Sequence, residues 1–147
     1  MLLHARLSLL AVAFLCSCSD SGPTLAEPLP DATPIAVSLS TTGGIPLAGL
    51  PRMSVSPVPG AIEVVWDVEI GPCMLASATA KRAGSIVQIE IEQHGNPLAN
   101  CVAGRYAYRH VARATGIVPG TYQLRLIDVR IGVPAVHVGR GTVAVLP

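Results

Sequence analysis

The side chains best placed to do chemistry are evenly spaced charges. Arg105, Arg109 and Arg113 recur every four residues, and Arg125 follows. A guanidinium is permanently charged and presents a planar fork of donors. Gathered on one face, these four would dock a phosphate, an anionic sugar or lipopolysaccharide. Arg125 joins the other three only if the strands that carry them pair. Cross-strand partners at Glu63, Asp67 or Glu69 would instead turn the same arginines into ordinary ion pairs. Two carboxylate couples, Asp67 with Glu69 and Glu90 with Glu92, sit at period two. That spacing suits a hydrolytic pair, and it is also what any solvated strand face looks like. His94, His110 and His137 lie on three separate segments, and such scattered histidines read as loop and surface residues, not as metal ligands. The chain contains no Gly-x-Ser-x-Gly, phosphate-loop, dinucleotide-fingerprint or His-Glu-x-x-His motif. No catalytic residue, metal or cofactor is assigned.

Positioning these residues requires strands. Residues 61–70 alternate Ile62, Val64, Trp66, Val68 and Ile70 with mostly polar neighbours, the period of a strand with one buried face. Trp66, the single tryptophan, is expected in the core as a structural residue. Residues 74–82 and 86–92, joined at Ala83–Gly84–Ser85, predict a hairpin. Residues 35–40 and 53–58 are weaker strands, the second held to an edge by Pro51, Pro57 and Pro59. Residues 105–113 read as strand or helix, since both put the three arginines on one face, and the surrounding strand density favours strand. Residues 121–126 are a strand with Tyr122, Leu124 and Leu126 inward. Residues 136–146 close the domain, kinked at Gly139 and Gly141. About seven strands result.

The composition is 50% hydrophobic and 13% charged, which argues against disorder. Only 3% of residues are aromatic, so base-stacking surfaces for nucleic acid are nearly excluded. A net charge of +1 provides no strong steering field. The longest apolar run, residues 7–15, is too short to span a bilayer. It fits the apolar core of an export signal, preceded by His4 and Arg6. Leu15–Cys16–Ser17–Cys18 then resembles the lipobox of bacterial lipoproteins, with Leu15 three places before the cysteine and small Ser17 just before it. The resemblance implies cleavage after residue 17, lipid on Cys18 and stable anchoring by several acyl chains. Ser19 is not the aspartate that favours inner-membrane retention in that pattern, so the expected location is the outer membrane. Residues 18–34, with Pro23, Pro28, Pro30 and Pro34, read as an extended tether of about 50 Å at most. Residues 35–147 are then the folded domain. Removing Cys16 with the leader and lipidating Cys18 leaves Cys73 and Cys101, an even pair in an exported domain that reads as a disulfide.

Residues 116–126, Gly-Ile-Val-Pro-Gly-Thr-Tyr-Gln-Leu-Arg-Leu, resemble a stretch of small bacterial β-sandwich modules of the fibronectin type III-like, transthyretin-like and carboxypeptidase regulatory-like kinds. There a Pro-Gly turn feeds a strand whose tyrosine packs at the sandwich corner. In immunoglobulin-like folds such a tyrosine hydrogen-bonds back to the loop, and Tyr122 takes that place here. The expected fold is therefore a single antiparallel, immunoglobulin-like β-sandwich with one disulfide. The expected function is a non-catalytic, lipid-anchored envelope module, structural or binding an envelope protein or anionic polysaccharide. The alternative is a small periplasmic enzyme inhibitor or hydrolase, with the loop at residues 95–100 as an inhibitory candidate.

Overall fold

The computed structural model describes residues 24–96 and 99–147. Cys16, Cys18 and the leader lie outside them. Ten strands form two packed sheets: β1 (Thr24–Leu25), β2 (Thr33–Ile35), β3 (Val37–Gly43), β4 (Arg52–Val58), β5 (Ala61–Ile70), β6 (Met74–Ala83), β7 (Ile86–Gly95), β8 (Tyr106–Thr115), β9 (Gly120–Arg130) and β10 (Val133–Val145). The six-stranded sheet runs β1-β10-β9-β7-β6-β2, and the four-stranded sheet runs β3-β8-β5-β4. An all-β, two-sheet sandwich is as expected, with ten strands among the described residues where the hydropathy pattern resolves about seven. One neighbouring pair, β7 with β9, is parallel, because the chain visits the other sheet as β8 between them.

Period-two alternation builds the core. Ile62, Val64, Trp66, Val68 and Ile70 of β5 face Val87, Ile89 and Ile91 of β7 and Leu124 and Leu126 of β9 across the sandwich. Of residues 105–113, all but Arg105 are strand, not helix: β8 pairs with β5 along its length, placing Arg109 opposite Asp67 and Arg113 opposite Glu63. On β10 the register slips between His137 and Gly139, so the irregularity expected at Gly139 is a β-bulge, while Gly141 stays in register. A side chain on Gly139 would collide with the Met53 thioether, which lets the two sheets approach closely there.

The stretch read as a tether is part of the domain from Thr24 onward. β1 pairs with β10 at one edge of the six-stranded sheet and β2 with β6 at the opposite edge. The inner face is filled by the core, so residues 26–32 must cross the outer face as a strap. That strap accounts for Ile127, which points outward on β9 and is yet only 1% exposed. It accounts equally for the burial of Gln88 and His137 on the same face.

Candidate functional site

The four arginines do not assemble into one site. Arg105, Arg109 and Arg113 share the outer face of the four-stranded sheet, but Arg125 lies on β9 in the other sheet, because β8 and β9 do not pair. Arg109 meets Asp67 through two hydrogen bonds, Nε to Oδ1 at 2.7 Å and Nη2 to Oδ2 at 2.8 Å. Arg52 adds a third, Nη2 to Oδ2 at 3.0 Å. The hydrogen bonds from Arg109, then the fields of both guanidinium groups, hold the Asp67 carboxyl below its ordinary range despite its burial. Arg105 grips Glu69 in the same forked manner. Lys81 pairs with Glu90 at 2.6 Å. These are the cross-strand pairs of a sheet surface, and they keep the carboxylates ionised, not poised as acids.

The cysteines behave as their number suggests. Cys73 and Cys101 form a disulfide with Cα atoms 5.9 Å apart. It joins the link after β5 to the link before β8, and Asn96 donates its backbone N–H to the Cys73 carbonyl at 2.9 Å. Pro97 and Leu98, at the centre of the candidate inhibitory loop, lie outside the described residues. At the opposite end of the sandwich, Tyr122 donates its hydroxyl to the Val118 carbonyl at 2.9 Å, the corner bond that the Pro-Gly resemblance implies. Tyr106 repeats the device, donating to the Val102 carbonyl at 3.1 Å. Both tyrosines stand two residues after a glycine, Gly104 and Gly120. A Cβ on either glycine would come within 3.1 or 3.5 Å of the tyrosine ring folded over it. The repeated Gly-x-Tyr was a legible signal for the second corner.

Two histidines expected at the surface are buried. His110 points inward from β8 and is fully enclosed. Its Nδ1 is 2.9 Å from the Thr41 hydroxyl, and its ring lies 5.5 Å from that of Trp66, tilted by 38°. Burial pushes its pKa down, against the field of Asp67. His137 is buried beneath the strap side of β10. Among the described residues, no three His, Cys, Asp or Glu side chains gather as a metal site.

A recess lies at the disulfide end. A cleft of about 320 Å³ opens between β5 and the β9–β10 hairpin, walled by Val68, Val136, Val138, Pro51 and Pro134, with Trp66 at its floor. Asp128 and Arg130 supply its polar side. Asp128 accepts hydrogen bonds from Gln93 at 2.9 Å and Arg130 at 2.8 Å, yet burial outweighs both and pushes its pKa up. Gln93 Oε1 beside it is buried without a partner. Extending the alternation of Tyr122, Leu124 and Leu126 by one step puts Asp128 inward, and extending Val87, Ile89 and Ile91 does the same for Gln93. The strands run further than the apolar residues that mark them. Around this end stand exposed Leu47, Leu75, Val102, Ile131 and Val133, all in or beside its links. Such a concentration of uncovered aliphatic surface marks interaction sites more often than scattered single residues do.

Comparison with protein-family models, with curated proteins and with solved structures found no match for this chain.

Proposed function

We propose that the protein is a non-catalytic, lipid-anchored envelope module that binds a partner through the disulfide-tied end of its sandwich. The observation that carries this reading is that exposed aliphatic side chains gather at the end of the sandwich where the Trp66-floored cleft opens, Val133 lining the cleft itself. Leaving that surface in water is unfavourable, so a partner that covers it gains affinity. A walled apolar recess with few polar groups is the usual form of a binding pocket. The fitting partner presents an apolar side chain to the cleft and a hydrogen-bond donor to Asp128. An envelope protein with an exposed aliphatic segment meets that description.

The leader supports the anchoring half of the proposal. Lipid on Cys18 would leave six residues to Thr24, a reach of about 20 Å when extended. The sandwich would therefore stay close to the outer membrane, where its partner would also reside.

Photo-crosslinking in intact cells tests the binding half. A photoreactive residue at Val133 is expected to yield a discrete crosslinked species, lost when Val136→Glu charges the cleft wall. A probe at Val118, at the opposite end, is the control. Equal products from both ends would overturn the proposal.

A further inference from the structure

The outer face of the six-stranded sheet carries a feature that the binding end does not use. Arg125 on β9 stands directly opposite Arg140 on β10. Like charges in that position repel, and sheets ordinarily place an opposite charge there. Among the described residues neither guanidinium has an ion-pair or hydrogen-bond partner. The pairing is a product of the bulge. Without the extra residue at Val138–Gly139, alternation from His137 would turn Arg140 inward; with it, His137 and Arg140 share the outer face.

His137 supplies the second observation. It is 7% exposed, and neither of its ring nitrogens has a hydrogen-bond partner. A buried imidazole with two unmet nitrogens is rare and needs a reason. The ring lies within the fields of Arg140 and Arg125, and Glu27 on the strap is the carboxylate whose field reaches it. A shallow depression of about 280 Å³ sits over the arginines, with Gln123 and Thr142 at its rim.

We infer that Arg125 and Arg140 form a binding site for an oxyanion of the phosphate class, with His137 as its charge-responsive neighbour. Two guanidinium forks offer paired N–H donors to a tetrahedral anion, and the anion cancels the repulsion between them. The Gln123 amide and Thr142 hydroxyl can donate from the rim. A bound anion also favours the imidazolium form, so His137 takes up its proton at higher pH when the site is filled. The shared ligand chemistry is a phosphate ester, carried by a saccharide or by a lipid headgroup.

The test uses the full chain in detergent, titrated with sodium phosphate against sodium chloride at matched ionic strength. The ring resonances of His137 are followed by NMR, with His94 and His110 as references. A saturable response is expected, with the His137 titration midpoint moving to higher pH. Arg125→Gln and Arg140→Gln should each weaken it by about tenfold or more, as for loss of a charged hydrogen-bonding partner. Arg113→Gln, on the other sheet, should leave it unchanged. No saturable response, or an equal loss in Arg113→Gln, would overturn the inference. Two further arms separate the sources. Phosphatidylglycerol vesicles that compete with inorganic phosphate identify a headgroup, and a phosphorylated saccharide that competes where vesicles do not identifies a glycan.

Discussion

His110 shows how one residue's surroundings set a property of the whole chain. Its ring is enclosed by Trp66 and Thr41, with Asp67 the acid whose field reaches it, and burial holds its pKa below the ordinary 6.5. Burial and two arginines do the same to His137. In the unfolded chain both imidazoles take up protons near 6.5, whereas in the fold they do so only at lower pH. Between those limits the unfolded state binds more protons, so stability is full above 6.5 and falls as pH drops through the folded values. Asp67, with a lowered pKa, removes further stability only as pH falls below 3.8. Asp128, with a raised one, works in the opposite direction, gaining stability as pH falls from its folded value towards 3.8. Denaturant melts at pH 7.5, 6.5 and 5.5 should show a decline over the last interval. His110→Gln should make that decline shallower, and an unchanged slope would contradict the role given to burial.

At the scale of elements, the disulfide and the bulge do what strand pairing cannot. Cys73 and Cys101 are 28 residues apart and close the β6–β7 hairpin into a loop at the cleft end. In the loop-entropy account such a closure stabilises by about 3–4 kcal/mol. Replacing both cysteines by alanine should lower the free energy of unfolding by about that amount, read from denaturant melts without reductant. A change below about 1 kcal/mol would show that the loop is already ordered by the bond from Asn96 to Cys73 and by the Tyr106 corner. The bulge on β10 has a different office. It sets which residues of the last strand face the core and which face the strap, and it places Gly139 where Met53 needs room.

The molecule as a whole is a sandwich with two dissimilar ends and two dissimilar faces. One end carries the cleft and the aliphatic rim; the other carries the Tyr122 corner. One outer face is a surface of paired charges, and the other is crossed by the strap beside two unpaired arginines. The proposed anchor would join at Thr24, the start of β1. Cys18→Ala should shift the protein from the outer-membrane fraction to the soluble periplasmic fraction or stall its processing, whereas Cys16→Ala should do neither. Normal processing and unchanged fractionation of the Cys18 variant would remove the lipid from the proposal and leave the cleft untouched.

Much of this was written in the sequence by itself. Alternation named the buried faces of β5, β7 and β9, because side-chain direction in a strand follows from the local pleat. It put Trp66 in the core, and counting cysteines paired Cys73 with Cys101. The resemblance of the Pro-Gly stretch to β-sandwich modules implied a corner for Tyr122, whose carbonyl partner Val118 is only four residues away. Apart from the β6–β7 hairpin, the tertiary structure alone decided which strands became neighbours. Closing a longer loop costs little more than closing a shorter one, so chain position does not dictate pairing. For that reason Arg125 parts from Arg105, Arg109 and Arg113, β7 lies parallel to β9, and residues 26–32 become a strap instead of a tether. The cleft is assembled from β5, β9 and β10 with Pro51 of the link before β4, a link that has no periodicity to read. A recess made by the meeting of two sheets exists only once both sheets are in place.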